Sequence, residues 1–253
     1  MDTPTGKWLN LPNIGMSLKI LFTGYLLVVG LGLLMAGGQI LLTHGMADAK
    51  LGLSVDDVVY SYYGNRGSSK LETKLNGSMK DKASTHDRAE IIKWVRDGAP
   101  EAEWAPRIEK VFQANCIKCH GVIPGLPDFN AFENVKRLAA IDTGATVDSL
   151  TRVSHIHLFG IAFIFFFIGL IFSLAIGIPK WLKWLAIALP FTFLIVDVLS
   201  WWLTKFHPGF AWMTIIAGFS YSMASAFMWF VSMYQMWVLP LNGKEYSQNA
   251  WLE

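Results

Sequence analysis

Four stretches of the chain are each long and apolar enough to cross a bilayer, and nothing else in the sequence constrains the fold as strongly. A span through hydrocarbon needs about 20 consecutive, mostly apolar residues wound as a helix, because only a helix satisfies its own backbone hydrogen bonds there. Ile20 to Leu42 carries no charge, Val153 to Ile178 bears only histidines at its start, Trp184 to Leu203 holds one Asp, and Ala211 to Leu239 holds none. The third is the weakest because Asp197 lies inside it, but Trp181, Trp184, Trp201 and Trp202 at its ends read as interfacial anchors. Composition agrees: 53% of the 253 residues are hydrophobic and 16% charged, against roughly a quarter charged in soluble domains. A net charge of +2 without any basic run gives no argument for nucleic acid, and none is expected as a partner.

Orientation follows from lysines in the short flanks. Lys7 and Lys19 precede the first span, Lys180 and Lys183 sit between the second and third, and Lys244 follows the fourth. With a cytoplasmic amino terminus all five fall inside and only Lys205 lies in the short opposite loop. Both termini are therefore predicted to be cytoplasmic, in the inner membrane of a bacterium. The first span is read as an uncleaved signal anchor: Ala47-Asp48-Ala49 resembles a cleavage site, but the apolar core before it is too long for a signal peptide. The chain then divides into residues 1–43 (amino terminus and anchor helix), 44–152 (a periplasmic domain with 15 basic and 15 acidic residues) and 153–253 (three helices and a cytoplasmic carboxyl terminus).

Inside the polar domain the signals are short helices. Arg88 to Asp97 places Ile91, Ile92, Trp94 and Val95 at near-helical spacing before a Gly-Ala-Pro stop, and Trp104 to Asn115 places Ile108, Val111 and Phe112 on one face. Residues 62–78 and 121–127 are predicted as loop from their Gly, Asn, Ser and Pro content.

The second of these helices runs into Cys116-Ile117-Lys118-Cys119-His120, the only two cysteines in the chain. This is the CxxCH attachment signature of c-type haem: two thiols one helical turn apart form thioethers to the two vinyl groups, and the next residue sets an imidazole under the iron. A thioredoxin-like CxxC wants a βαβ setting and a zinc site wants two more soft ligands, both missing from this domain. The segment from Ile108 to Gly121 resembles the amphipathic helix and haem-binding turn of the mono-haem c-type cytochrome family, over about Arg88 to Ala140 and not over the membrane helices. The resemblance implies one covalent haem c at Cys116 and Cys119, with His120 as proximal ligand. It further implies an all-α fold, a cytochrome c-like helical domain inserted between membrane helices one and two.

The family's usual downstream distal ligand is missing, since residues 121–154 contain neither Met nor His. Met79, in a polar, flexible stretch upstream, is the favoured distal ligand, ahead of Met46, of His86, whose Ser84-Thr-His-Asp setting has the composition of a helix N-cap, and of His44, His155, His157 and His207 at the membrane edge. A five-coordinate iron stays open as well.

Under the predicted topology four of the six histidines gather at the non-cytoplasmic ends of the spans: His44, His155, His157 and His207. His155 and His157 face about 200° apart on a straight helix, so at most one joins a shared site. With Asp197, an ionisable group inside a span, they define a second candidate site for a haem b or a quinone, His157 pairing with His44 or His207.

The leading expectation is an electron-transfer subunit of a respiratory or related redox complex, in contact with other redox subunits, a soluble cytochrome and the lipid bilayer, rather than a stand-alone enzyme. Two alternatives stand beside it. One is a quinol-oxidising or haem b-containing subunit in which Asp197 and a histidine handle protons; the other is a haem-based gas sensor with an open sixth position. Trp104, Phe112 and Phe129 are candidates for the haem wall or for ordinary core.

Overall fold

The computed structural model describes residues 9–43 and 52–252. Ten α-helices and several shorter helical turns account for its regular structure, and among the described residues the only β pairing is an isolated bridge between Ser69 and Ile141. The chain divides into two compact units, one formed by residues 1–44 with 147–253 and the other by residues 45–146.

The first unit is a bundle of α1 (Met16–Thr43), α8 (Val147–Ser173), α9 (Lys180–Phe206) and α10 (Ala211–Trp237). All four are long and apolar enough to span a membrane. Helices α1 and α9 overrun the apolar stretches read from sequence at both ends, because a helix runs on past the hydrocarbon, while α10 begins at Ala211 as expected and ends slightly early and α8 is displaced toward its start. Thus α8 starts at Val147 rather than at Val153, taking in the polar turn with Asp148 at its start, and stops at Ser173 ahead of Gly177 (φ +71°) and Pro179. Tight connections make α8, α9 and α10 antiparallel neighbours. The Gln235 side chain of α10 seals the α8–α9 turn, donating to the Ile176 carbonyl at 2.8 Å and accepting from its N–H at 2.9 Å.

Helix α1 packs antiparallel to both α8 and α10. Tyr25 donates to the Ile164 carbonyl (3.2 Å), Trp229 to the Leu26 carbonyl (2.8 Å) and Trp237 to Thr23 Oγ1 (2.8 Å). The backbone of Gly30 passes so close that an added Cβ would meet the Trp229 indole nitrogen at 3.3 Å. Otherwise α1 is almost wholly exposed on its flanks. Ahead of it, Leu11 and Ile14 are buried in the bundle end, and Leu11 N–H donates to the Leu174 carbonyl. The segment near the other terminus comes to the same end: Asn10 donates to the Gln248 carbonyl, Ala250 N–H to the Leu9 carbonyl, and the buried Lys183 ammonium to the Ala250 carbonyl at 2.9 Å.

The second unit comprises α2 (Val55–Tyr62), α3 (Lys70–Asn76), α4 (Thr85–Arg96), α5 (Glu109–Asn115), α6 (Ile117–His120) and α7 (Phe132–Ala139). Serine caps start three of them: Ser54, Ser69 and Ser84 each accept from the backbone N–H three residues on. One sequence expectation is overturned here, because residues 62–78 are not loop throughout. Ser69 and the sequence Lys-Leu-Glu-Thr-Lys-Leu form α3, whose Leu71 and Leu75 are buried. The turn-rich residues before it had masked this i, i+4 pair. Glu72 of α3, buried, is ion-paired with Arg96 of α4, and Leu71, Leu75, Ile91, Trp94, Ile108, Phe112, Val135 and their neighbours form one core.

The unit is clasped where the chain enters and leaves. Asp142 N–H donates to Ser68, and Ala145 N–H to Ser61. Gly64 (φ +86°) and Gly144 (φ +71°) meet backbone to backbone, so that a Cβ on either would lie under 2.5 Å from the other strand of chain. Only glycine fits both the space and the dihedral.

Candidate functional site

Helix α4 and the Trp104–Ile108 π-helical turn lead into the CxxCH motif. That wide turn brings Trp104 and Ile108 into the core, and α5 continues with Phe112 fully buried. Cys116 closes α5 and α6 carries Ile117 to His120, so the two thiols lie on one turn of helix. Both are free thiols, Cys116 half-buried and Cys119 exposed. Burial pushes the Cys116 thiol up to about 11, and the Asp87 carboxylate adds to the effect. Asp87 itself sits below the ordinary carboxylate range because Ser84 and then Asn115 hydrogen-bond it. Asn115, the residue before Cys116, donates to Asp87 at 3.2 Å and so ties the motif to the start of α4.

His120 is held on two sides. Its Nδ1 lies 3.0 Å from the Pro127 carbonyl oxygen; a carbonyl can only accept, so Nδ1 carries the proton and Nε2 is left with a lone pair. Its ring stacks on Phe129 at 4.3 Å and 8°. Phe129 is buried and meets Phe112 edge-on at 5.4 Å, while its N–H donates to the His120 carbonyl. Gly121 is needed where this loop folds back, since a Cβ there would come within 2.7 Å of Asn130 and 2.9 Å of Ile117.

The donor set fits a covalently held haem. Two thiols and an imidazole with a free Nε2 stand on one turn, and the imidazole carries the carbonyl partner that orients a metal-ligating histidine. Val122, Ile123 and Leu126, on the loop that follows, are 73%, 51% and 43% exposed. In a unit this polar they form an exposed apolar surface beside the motif.

The other residues singled out from sequence fall as follows. Met79 is half-buried at the start of a short turn (Lys80–Lys82) that α4 holds through Arg88, which donates to the Lys80 carbonyl at 3.0 Å. Met79 and the CxxCH turn are thus each tied to the first half of α4. His86 is exposed on α4 and clusters with Asp87 and Glu90, whose carboxylates are engaged by Asn115 and Arg107. Trp104, Phe112 and Phe129 belong to the common core. His44 and Met46 lie outside the described residues.

In the bundle, His155 is exposed with its ring against Phe159, whereas His157 is half-buried, edge-on to Trp201 at 5.0 Å. His157 Nδ1–H donates to the Val153 carbonyl at 3.0 Å, leaving Nε2 as the acceptor. His207, in the α9–α10 turn, has the opposite tautomer: its Nδ1 accepts from Gly209 N–H at 3.1 Å. The two histidines are engaged with separate partners. Asp197 is buried (4% exposed), and Trp201 Nε1–H and Tyr221 O–H donate to its two oxygens at 3.0 and 3.4 Å. Sequence reasoning missed Tyr221, Ser200 and Thr214 in this cluster; seven-residue spacing of Thr214 and Tyr221 along α10 was the available signal.

Comparison with known proteins reaches the membrane part. Residues 141–244 match the model of a family described as a transmembrane helical domain. No curated protein and no solved structure matches the chain. With four helices able to span a bilayer, three of them inside the matched region, the chain is a multi-pass membrane protein whose carboxyl-terminal helices are similar to that transmembrane helical domain.

Proposed function

We propose that the chain is a membrane-anchored mono-haem cytochrome c that passes electrons as a subunit of a respiratory or related redox membrane complex. The observation that carries this reading is the Nδ1–H of His120 donating to Pro127 from within a CxxCH turn. A haem attached there supplies reversible one-electron chemistry at its iron. Cys116 and Cys119 would hold the porphyrin through thioethers and His120 would offer Nε2 to the iron, while Pro127 and Phe129 fix the imidazole plane. The half-burial of Met79 and the attachment of its turn to α4 support Met79 as the opposite ligand. Clustering of Lys19, Lys180, Lys183 and Lys244 at one end of the bundle supports cytoplasmic termini and a periplasmic haem domain. The electron then enters and leaves through other redox subunits or a soluble cytochrome.

The test is the purified full chain from a host with a c-type maturation system, read by reduced-minus-oxidised spectrum, pyridine haemochrome and carbon monoxide addition. One covalent haem per chain, low-spin and unreactive to carbon monoxide, is the expected result; a chain without haem overturns the reading. Met79→Ala should convert the haem to a high-spin, carbon monoxide-reactive form, and an unchanged spectrum removes Met79 from the iron. A carbon monoxide-reactive wild type would favour the gas sensor, and an extractable second haem the haem b subunit.

A further inference from the structure

A line of buried polar side chains runs from the α9–α10 end of the bundle to Asp197. On α9, Asp197, Ser200, Trp201 and Thr204 occupy positions i, i+3, i+4 and i+7, one face of the helix. All four are buried, Ser200 and Thr204 completely. On α10, Thr214, Tyr221 and Ser225 share a face by the same spacing. Ser200 Oγ donates to the Asp197 backbone carbonyl at 2.6 Å and accepts from Thr214 Oγ1 at 2.6 Å, which with Tyr221 O–H donating to the Asp197 carboxylate at 3.4 Å joins the two helices. From α8, His157 closes the line by its contact with the Trp201 ring.

Two features separate this line from ordinary helix glue. Small hydroxyls in membrane helices usually satisfy themselves on the carbonyl four residues back, as Ser220 and Thr192 do here. Yet among the described residues the hydroxyls of Thr204, Ser225 and Ser232 are buried without a protein partner. A buried hydroxyl in that condition needs a water, and Thr204 stands one turn beyond Ser200, two residues from the helix end. The line is also one-sided. From Thr204 to Asp197 the steps are single turns of about 5.4 Å, each within reach of one bridging water, whereas from Ser225 to Ser232 the gap is about 10.5 Å. The fully buried Met228 fills it.

We propose that Asp197 is a proton-binding site served by this half-channel, exchanging with the aqueous phase on the α9–α10 turn side and closed to the other. A proton from water at that end passes the Thr204 and Thr214 hydroxyls and reaches an Asp197 carboxylate oxygen through bridging water, since Ser200 donates its own hydroxyl hydrogen to the Asp197 backbone carbonyl; the O–H bond formed on the carboxylate breaks when the proton returns. The titratable groups facing the site are Tyr221 from α10 and, through Trp201, His157 from α8. Packing of Asp197 between Trp201 and Tyr221, whose ring meets Phe165 at 5.6 Å, suits a proton better than a quinone headgroup.

The experiment is infrared spectroscopy of the purified full chain in lipid, following the carbonyl stretch of a protonated carboxyl in water and in deuterium oxide. The wild type should show a band that titrates with pH and is absent in Asp197→Asn. The near-isosteric Thr204→Val should slow its deuterium exchange at least about tenfold, equivalent to ~1.4 kcal/mol on the barrier, and Ser232→Ala should leave it unchanged. The proposal is overturned if Asp197→Asn removes no titrating band, if Thr204→Val exchanges at the wild-type rate, or if Ser232→Ala slows exchange as much. Should Asp197→Asn fail to fold, the other two variants, which keep Asp197, decide.

Discussion

At the scale of single residues, the two cysteines of one motif differ in their surroundings. Cys119 is exposed, while Cys116 is partly buried beside Asp87 with its thiol pushed up to about 11. Since the thiolate is the nucleophile, a chain made without haem should be alkylated at Cys119 well before Cys116 at neutral pH. Peptide mass spectrometry of a timed iodoacetamide reaction reads this, and faster labelling of Cys116 would refute it. Asp87 gives a pH dependence of definite sign. Its folded-state value is lowered from the ordinary 3.8 by Ser84 and Asn115. Its contribution is therefore present above about pH 4 and lost as pH falls through the folded-state value. Asp87→Asn should lower the urea midpoint of the chain near neutral pH, with the deficit closing in the acid range; a deficit that persists there would contradict the linkage. Of these features CxxCH was legible from side-chain identity and spacing. The Pro127 carbonyl, a backbone atom seven residues on, and the Asp87–Asn115 bond, spanning 28 positions, leave no such pattern.

At the scale of elements, the weakest attachment is that of α1. It touches α8 and α10 through a few bonds and one close approach at Gly30. Hydrogen bonds between membrane helices average ~0.6 kcal/mol, so Trp229→Phe should cost little. Gly30→Leu forces the helices apart and should cost about 1–3 kcal/mol. Thermal unfolding in detergent ranks the two, and a larger loss in Trp229→Phe would show that packing at Gly30 is not what holds α1. In the polar unit the fully buried Trp94, whose indole donates to the Pro100 carbonyl at 3.1 Å, anchors α4 against Trp104 and Phe132. Trp94→Ala should remove about 3–5 kcal/mol, read as a fall in urea midpoint. The long helices were visible in sequence because uninterrupted hydrophobicity has one structural outcome in a membrane. Helix α3 was not, because seven residues carry too short a period to stand out against the Gly, Asn and Ser around them, and its place is decided by burial of Leu71 and Leu75 and by the pairing of buried Glu72 with the exposed Arg96.

At the scale of the whole chain, four spans and tight turns put the α8–α9 turn and the residues flanking α1 and α10 at one end of the bundle. Reporter fusions at residues 178 and 245 should both read cytoplasmic and a fusion at 208 periplasmic; a periplasmic signal at 245 would invert the topology drawn from the lysines. What no hydropathy plot contains is the joint made by residues 9–14 and 246–250, where Leu9 bonds Ala250, Asn10 bonds Gln248 and Lys183 caps the same tail. Such a joint sets a clock on biogenesis. Its two sides lie 238 positions apart along the chain, so α1 enters the membrane with its neighbours still unmade. It waits there through translation of the polar unit and of three further helices, and the bundle end is locked only after residue 250 emerges.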